Sequence, residues 1–188
     1  MRGVIEQGGR VYLRAPRVSD RREFLRLARA SRGLHRPWVY APETAREFEA
    51  YVAHCRNEAE RCFLVCLRSD DALAGVYNVS QIARGFFENA YLGYYAFAPG
   101  AGQGLMAEGL ELVMRHCFRR LKLHRLEANI QPDNDRSKLL VERAGFRYEG
   151  YSPRYLKIGG RWRDHERFAI LAEDWRALSR TRSRVAPG

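Results

Sequence analysis

The feature that most constrains the fold is a glycine-rich junction between a strand-like segment and a helix-like segment. The segment "NAYLGYYAFA" is rich in strand-forming residues, and "PGAGQG" then places Gly100, Gly102 and Gly104 on alternate residues. The next apolar residues recur at i, i+4 and i+7, which indicates a helix with one buried face. Another strand-like segment, "HRLEANI", follows. Residues 91–130 therefore predict a strand, a helix and a parallel strand joined by a crossover.

The rest of the chain predicts further strands and helices packed around that crossover. Strand-like segments are "RVYLR", "RCFLVCLR", "ALAGVYNVSQIA" and two segments joined at Gly159-Gly160, a dipeptide typical of a hairpin turn. Helices are predicted at "DRREFLRLA", after a capping box of Thr44 and Glu47, and between Asp133 or Asn134 and Gly145. The expected fold is an α/β (α+β) domain over residues 1–175. Its mixed, mostly antiparallel sheet has about seven strands and is flanked by about four helices, and the Arg-rich tail 176–188 is expected to be frayed.

Composition favours a single globular domain outside membranes. The chain has 188 residues, of which 46% are hydrophobic and 29% charged. Its longest uncharged stretch, residues 89–107, contains Pro99 and several glycines, and the first ten residues lack the apolar core of a signal peptide. The four cysteines show no metal-ligand or CxxC spacing and are expected to be buried and unpaired. These observations predict a cytoplasmic protein that binds no membrane and no metal.

The charge is strongly positive and unevenly distributed. The net charge is +11, with 30 Arg and 3 Lys; residues 1–40 carry +7, residues 41–114 carry −5 and residues 115–188 carry +9. Such a field attracts RNA or a phosphorylated cofactor, although surface charge that serves only solubility explains it as well. One basic cluster, which could touch coenzyme phosphates or ribosomal RNA, consists of Arg115, Arg119, Arg120, Lys122, Arg125, Arg136 and Lys138. The acidic segment contains Glu43, Glu47, Glu49, Glu58 and Glu60, which would suit a basic partner or form an ordinary solvated helix face.

A glycine-rich turn that opens a helix is suited to binding an anion, because its N–H groups and the helix dipole favour negative charge. A P-loop is excluded because no Lys follows Gly104. A dinucleotide fingerprint matches Gly102, Gly104 and Ala107, with Glu127 on the next strand, but only one further strand–helix step follows it. The third interpretation is a coenzyme A pyrophosphate site.

Several segments carry a resemblance that favours this third interpretation. In order along the chain, they are "QGLM", "HRLEAN", "N..RS..LL", "AGF..EGY", "GG.WRDH" and Asp174-Trp175. Together they resemble the RimJ/RimL branch of the GNAT acyltransferases, most strongly over residues 91–175. The GNAT glycine motif, [QR]xxGx[GA], corresponds here to residues 101–106. Ala101 departs from it where the family has Gln or Arg, and Met106 departs where the family has a small residue.

The resemblance implies a sheet whose one parallel strand pair splays apart to admit acetyl-coenzyme A. The backbone of Tyr95, Ala96 and Phe97 is then expected to pair with the pantetheine arm, and an amide near Ala96 or Phe97 to bind the thioester oxygen. The pyrophosphate is expected on Ala101, Gly102, Gln103, Gly104, Leu105 and Met106.

The resemblance also implies catalytic positions. Asn134 is expected to contact substrate or coenzyme, and Ser137 to lie near the sulfur and give a proton to the leaving thiolate. Glu127 is the first candidate for a general base and lies on the same face of its strand as Asn129, which is expected to contact the acceptor. Glu88 and Asp164 are further candidates for acceptor binding or base catalysis.

The implied reaction is acetylation of the N-terminal α-amine of a protein, of the Ala or Ser type, and the expected acceptor is a ribosomal protein. A weak base favours an α-amine, because its pKa of about 7.7–8.0 leaves far more of it neutral at pH 7 than of a lysine at about 10.4. Two alternatives remain open: acetylation of a small cationic amine such as an aminoglycoside or polyamine, and an RNA-binding ribosome assembly factor with the same fold. Contact with the ribosome or its RNA is a further expectation, for either a monomer or a homodimer.

Overall fold

The computed structural model describes residues 3–185, with side chains up to residue 181. Its strands are β1 (Val4–Gln7), β2 (Val11–Arg14), β3 (Arg61–Leu67), β4 (Leu73–Ser80), β5 (Asn89–Ala96), β6 (Arg125–Ile130), β7 (Arg147–Ile158) and β8 (Arg161–Leu171). Its helices are α1 (Arg21–Ala30), α2 (Arg32–His35), α3 (Ala45–His54), α4 (Leu105–Arg119), α5 (Asp135–Ala144) and α6 (Ala172–Val185).

All eight strands of the described residues form one sheet, in the order β1-β2-β3-β4-β5-β6-β8-β7. Every neighbouring pair is antiparallel except β5 and β6, which run parallel and are joined through α4. The predicted mixed sheet with a single crossover is thereby confirmed. The dinucleotide alternative is wrong, because that fold requires a mostly parallel sheet. The eighth strand, β1, was not predicted; it is short and pairs with β2 across a turn at Gly8 and Gly9.

Helices cover both faces of the sheet, and each face has its own apolar core. On one face α4 and α5 pack against β3–β6 and β8 through buried residues that include Leu110, Val113 and Phe168. On the other face α1 and α3 pack through Phe24 and Phe48, whose rings lie 4.7 Å apart. The second core ends at β5. The opposite face of β6 and β8 therefore lies outside that helical cover.

The parallel strands separate soon after they meet. Register pairs join Asn89 to Arg125, Ala90 to Leu126 and Tyr91 to Glu127, while β5 continues to Ala96 and β6 to Ile130. Beyond Tyr91 each strand keeps only its antiparallel neighbour, β4 or β8. The result is the expected splay, a gap open towards the glycine-rich junction.

Fraying of the tail from residue 176 stays a prediction, and the described part of this tail is helical. Helix α6 continues through Val185, and only residues 186–188 of the predicted tail lie outside the described residues. Trp175 is buried near the start of α6 and stacks against Phe118, while Leu178 lies against Gly145 at the end of α5. These apolar anchors offset the entropy that would otherwise fray a terminal segment.

The expectation of four unpaired cysteines is wrong. Cys55, just after α3, forms a disulfide with Cys62 in β3, with their Cα atoms 5.5 Å apart. The turn between these elements brings the two residues together, which the seven-residue spacing alone did not indicate. Cys66 and Cys117 are free and buried, as expected. The cysteines therefore do not support the prediction of a cytoplasmic protein in the way that four unpaired cysteines would.

Within residues 3–185, no helix has both the length and the apolar character that crossing a bilayer requires.

The close approach of α4 to the sheet generates a stability prediction. A Cβ on Gly75 would lie 2.7 Å from the Tyr95 carbonyl oxygen and would also meet the Met106 sulfur in the first turn of α4. We expect Gly75→Ala to lower the free energy of unfolding by about 1–3 kcal/mol, because backbone must move to admit the methyl group. Urea denaturation measures the change. Gly93→Ala is the matched control on β5, where a Cβ meets nothing within 4 Å; an equal loss in both variants would contradict the prediction.

Candidate active site

The glycine-rich junction leaves the first turn of α4 open to a ligand. After a single 3₁₀ turn at Ala98–Gly100, both Gly102 (φ 77°) and Gly104 (φ 76°) adopt the left-handed conformation that favours glycine. Gly104 is the N-cap of α4 and no side chain caps the helix. The amides of the first turn and the positive end of the helix dipole therefore face an uncapped space, and a Cβ on Gly102 would meet nothing within 4 Å.

The two departures from the GNAT motif do not obstruct this turn. The sulfur of Met106 is turned towards Gly75 in the sheet, and the Met106 carbonyl accepts a 2.7 Å hydrogen bond from the Tyr77 hydroxyl. Ala101 has an extended backbone and brings no polar side chain to the turn. The turn thus suits a pyrophosphate, as the sequence predicted, but position 101 supplies no cation or amide to it.

The backbone of β5 offers fewer groups to the gap than expected. The Phe97 amide donates to the Ala74 carbonyl at 2.8 Å. Bonding directions alternate along an antiparallel ladder, so the Tyr95 backbone also faces β4, whereas that of Ala96 faces the gap. The expectation for Tyr95 and Phe97 as backbone partners of the pantetheine arm is therefore corrected. Tyr94, which was not predicted, shares the orientation of Ala96.

A buried histidine from the opposite face borders the gap. The Nε2 of His35, in α2, lies 2.8 Å from the Ala96 carbonyl oxygen, and its ring packs edge-on against Tyr95. Burial lowers the pKa of His35, although the bond to Ala96 opposes the shift. Since a carbonyl only accepts, Nε2 carries the proton and donates. This contact engages the Ala96 carbonyl oxygen, so the Ala96 amide is the backbone group of that residue that is left to face the gap.

The Asn134 and Ser137 pair lies at the first turn of α5 beside β5. Asn134 is the N-cap, and its side-chain oxygen accepts from the Ser137 amide at 3.3 Å. The Ser137 hydroxyl donates to the Tyr94 hydroxyl at 2.7 Å, and the Tyr94 hydroxyl lies 3.1 Å from the Ser137 carbonyl. Burial raises the pKa of Tyr94, so the phenol stays protonated. The structure thus joins a tyrosine of β5 to the predicted serine.

Glu127 and Asn129 share one face of β6, as predicted, because Leu126, Ala128 and Ile130 are buried on the other. Glu127 lies at the last register pair before the strands separate and accepts from Arg125 at 2.9 Å. The neighbouring Tyr91 has its pKa raised by burial and by the Glu127 charge. The side-chain oxygen of Asn129 is buried and has no hydrogen-bond partner among the described residues.

Two other candidates lie away from Glu127. Glu88 precedes β5 at the end opposite the splay, and its carbonyl accepts from the His124 amide at 2.7 Å. Asp164 accepts from the Tyr151 hydroxyl at 2.5 Å and the Arg154 amide at 2.6 Å, within the β7–β8 hairpin. Strand alternation puts Asp164 on the face opposite to Asn129. The structure therefore favours Glu127 over both as a group near the gap.

The predicted charge clusters are partly paired within the protein. Of the basic cluster, Arg115 pairs with Glu6, Arg125 with Glu127 and Glu149, and Lys138 with Asp135 and Glu166, while Arg119 lies over the Trp175 ring. Of the acidic segment, Glu43 pairs with Arg32 and Arg36, Glu49 with Arg21 and Glu60 with His54.

Within residues 3–185, His, Cys, Asp and Glu side chains form no group of three or more that is placed to hold a metal ion.

Three residues at the gap had no sequence signal of their own. The sequence alone indicated that Tyr94 packs in the sheet and that His35 is an ordinary core or surface residue. Arg10 precedes β2 and lies 93 residues from the glycine turn that it contacts. The one indication was the alternation of side chains along β5, which places Tyr94 and Leu92 on the face of the sheet that α5 covers.

Comparison with known proteins agrees with this geometry. Residues 10–147 match the family described as "Acetyltransferase (GNAT) domain". The probable N-acetyltransferase YjcK of Bacillus subtilis (strain 168) is 34% identical over 176 residues, covering 89% of this chain and 97% of that protein. The ribosomal protein uS5-alanine N-acetyltransferase of Escherichia coli (strain K12) is 44% identical over 103 residues, about half of each chain (55% and 53%). The structure of Mycobacterium smegmatis RimJ in complex with a coenzyme A disulfide superposes with a TM-score of 0.79, at 27% identity and 90% coverage of both chains.

The fold and these comparisons define an acyltransferase. This chain belongs to the GNAT acetyltransferase family and is an acetyl-coenzyme A-dependent N-acyltransferase. Its homologues and structural neighbours include the RimJ/RimL enzymes.

The buried histidines generate a pH prediction. Burial lowers the pKa of His35, His116 and His165 below the ordinary value of 6.5. Because the unfolded chain binds protons more readily there, folding stability is complete above about pH 7 and falls as the pH drops through about 6.5. We expect a lower urea midpoint at pH 5.5 than at pH 7.5. His35→Asn should weaken this dependence. A midpoint that rises towards pH 5.5 would contradict the assignment.

Proposed function

We propose that this enzyme acetylates the N-terminal α-amine of a protein, of the Ala or Ser type, and that the acceptor is a ribosomal protein. The observation that carries the proposal is the gap between β5 and β6. The uncapped turn of α4 lies at the open end of this gap. The Ser137–Tyr94 hydroxyl pair lies on one face of the gap, and Glu127 lies where the two strands begin to separate. The similarity to the uS5-alanine enzyme over 103 residues supports the choice of acceptor.

The reaction is direct attack of the amine on the thioester. Acetyl-coenzyme A supplies the acetyl group; a C–N bond forms, the C–S bond breaks, and the thiolate leaves with the electron pair. We assign the proton that the thiolate takes up to the Ser137 hydroxyl, which rotates out of its 2.7 Å hydrogen bond to the Tyr94 hydroxyl to donate it. The Tyr94 phenol then donates to the Ser137 oxygen, and the proton that the attacking nitrogen releases through solvent restores the pair. Burial raises the pKa of Tyr94, which keeps the phenol protonated and leaves it unavailable as a base. The Ala96 amide is oriented to bind the oxygen on which charge develops.

The weakness of the base supports an α-amine acceptor. Glu127 accepts a hydrogen bond from Arg125 at 2.9 Å, so one of its carboxylate oxygens is already engaged by a donor. About one α-amine in seven is neutral at pH 7, against only a few lysine amines in ten thousand. A site whose carboxylate at the strand separation is engaged in this way acts best on an amine that is already partly neutral.

Charge disfavours the polyamine alternative. A polycation needs carboxylates without partners, yet Glu43 and Glu49 on the α3 side of the cleft are paired with arginines, as is Glu127. Arg163 and Arg167 lie on the face of β8 that α1 and α3 do not cover, and their Nε atoms are buried without partners among the described residues. Carbonyl oxygens of a peptide would suit those groups better than ammonium groups would.

Acceptor choice is tested with purified protein, acetyl-coenzyme A and matched amines. We expect thiol release with peptides that begin with Ala or Ser, and mass spectrometry should place the acetyl group on the α-amine. The same peptides with a blocked α-amine and a free internal lysine should react at least tenfold more slowly, because so little lysine is neutral. Spermidine and an aminoglycoside are the small-amine controls.

Two results would overturn the proposed acceptor. Acetyl found on internal lysines would remove the argument from the weak base. Thiol release only with spermidine or the aminoglycoside would keep the acetyltransferase activity and move the acceptor to a small amine. Tight, salt-dependent binding of ribosomal RNA without any turnover would favour the assembly-factor alternative.

The hydroxyl pair is tested by Ser137→Ala and Tyr94→Phe. We expect each to lower kcat by about 10- to 100-fold with little change in the KM of the amine, because the proton is needed only as the thiolate leaves. If the two hydroxyls act as one unit, the double variant is no slower than Ser137→Ala alone. Tyr148→Phe, at an exposed tyrosine of β7, is the control. Additive losses, or a change confined to KM, would contradict proton delivery by this pair.

A further inference from the structure

The glycine turn lacks the Gln or Arg that the GNAT motif has at its first position, but an arginine from another element lies against it. Arg10 stands in the β1–β2 hairpin. Its Nη1 donates to the Gln103 carbonyl at 3.0 Å, and its Nη2 lies 3.3 Å from the position that a Cβ on Gly104 would occupy. The guanidinium thus sits beside the two residues that precede α4.

Arg10 is held there by the first turn of α4. Glu108 accepts from the Arg10 amide at 2.7 Å, from the Val11 amide at 3.2 Å and from Arg10 Nε at 3.1 Å. Gly8 makes this approach possible, because a Cβ there would collide with the Glu108 carboxylate. The hairpin and the helix are therefore locked together at the point where the guanidinium meets the turn.

The guanidinium retains donors for a ligand. An arginine has five N–H groups; here Nε–H is used by Glu108 and one Nη1–H by Gln103. The side chain is 58% exposed, so the remaining N–H groups are accessible from solvent. Planar, fork-like donors of this kind match phosphate oxygens better than a single ammonium group does.

We propose that Arg10 binds the phosphate groups of the coenzyme from the β1–β2 hairpin, in place of the side chain that is missing at Ala101. The uncapped α4 amides bind the pyrophosphate from one side and Arg10 binds it from the other. Arg10 also balances the Glu108 carboxylate, which would otherwise repel a phosphate at the N-terminal turn of α4. This inference rests on the coenzyme dependence of the enzyme and is independent of which amine is the acceptor.

The test measures equilibrium binding by isothermal titration calorimetry, with coenzyme A and with pantetheine, which has no phosphate. We expect Arg10→Met to weaken coenzyme A binding about tenfold or more, as expected for a lost hydrogen bond to a charged group, and to leave pantetheine binding unchanged. Raising the salt concentration should weaken coenzyme A binding less in the variant than in the wild-type protein. Arg10→Lys, which keeps the charge but loses the fork, should bind with intermediate affinity.

Arg68→Met is the matched control for the hairpin. Arg68 Nη1 donates to the Gly8 and Gly9 carbonyls at 3.0 and 2.9 Å, so it supports the same hairpin without touching the turn at Gly104. We expect this variant to lower the melting temperature and to keep the affinity for coenzyme A. Equal weakening of coenzyme A binding in both variants, or equal loss of coenzyme A and pantetheine binding in Arg10→Met, would show that Arg10 only shapes the loop and would overturn the proposal. So would unchanged coenzyme A affinity in Arg10→Met.

Discussion

The separation of β5 from β6 is the constraint on which the rest of the structure depends. Two parallel strands that part after three register pairs leave backbone groups without strand partners, and buried groups of that kind are costly. The gap persists because each strand keeps an antiparallel neighbour on its other side and because His35 donates to the Ala96 carbonyl. The fold thereby keeps the gap open, with unpaired backbone groups of β5 along its edge.

The glycine turn is the second feature that shapes the gap between β5 and β6. Gly102 and Gly104 take the left-handed conformation that the turn requires, and Gly75 and Gly109 let α4 approach the sheet closely. Close packing fixes the first turn of α4 relative to the end of β5, so the positive helix end and the gap meet at one place. Some of the arginines form internal ion pairs, among them Arg14–Asp20 and Arg125–Glu127.

Much of this could be predicted from the sequence because it is local. The parallel crossover follows from periodicity, the glycine hairpin at Gly159-Gly160 from turn chemistry, and the start and end of α5 from the cap at Asn134 and the left-handed Gly145. β1 and α6 were missed because a four-residue edge strand and an Arg-rich terminal helix have weak patterns of their own. Their order comes from partners elsewhere, β2 for the strand and Phe118 for Trp175.

By itself, the sequence determined the order of the elements from β2 to β8 apart from the short helix α2, the need for bare backbone before α4 and the placing of Asn134 and Ser137 at a helix start. Each depends on residues that are neighbours along the chain, where spacing and backbone preference are sufficient. Only the tertiary structure decided which groups meet at the gap: Tyr94 reaches Ser137 over 43 residues, His35 reaches Ala96 over 61, and Arg10 reaches Gln103 over 93. Contacts at such separations are set by sheet order and helix packing, and no local pattern encodes them.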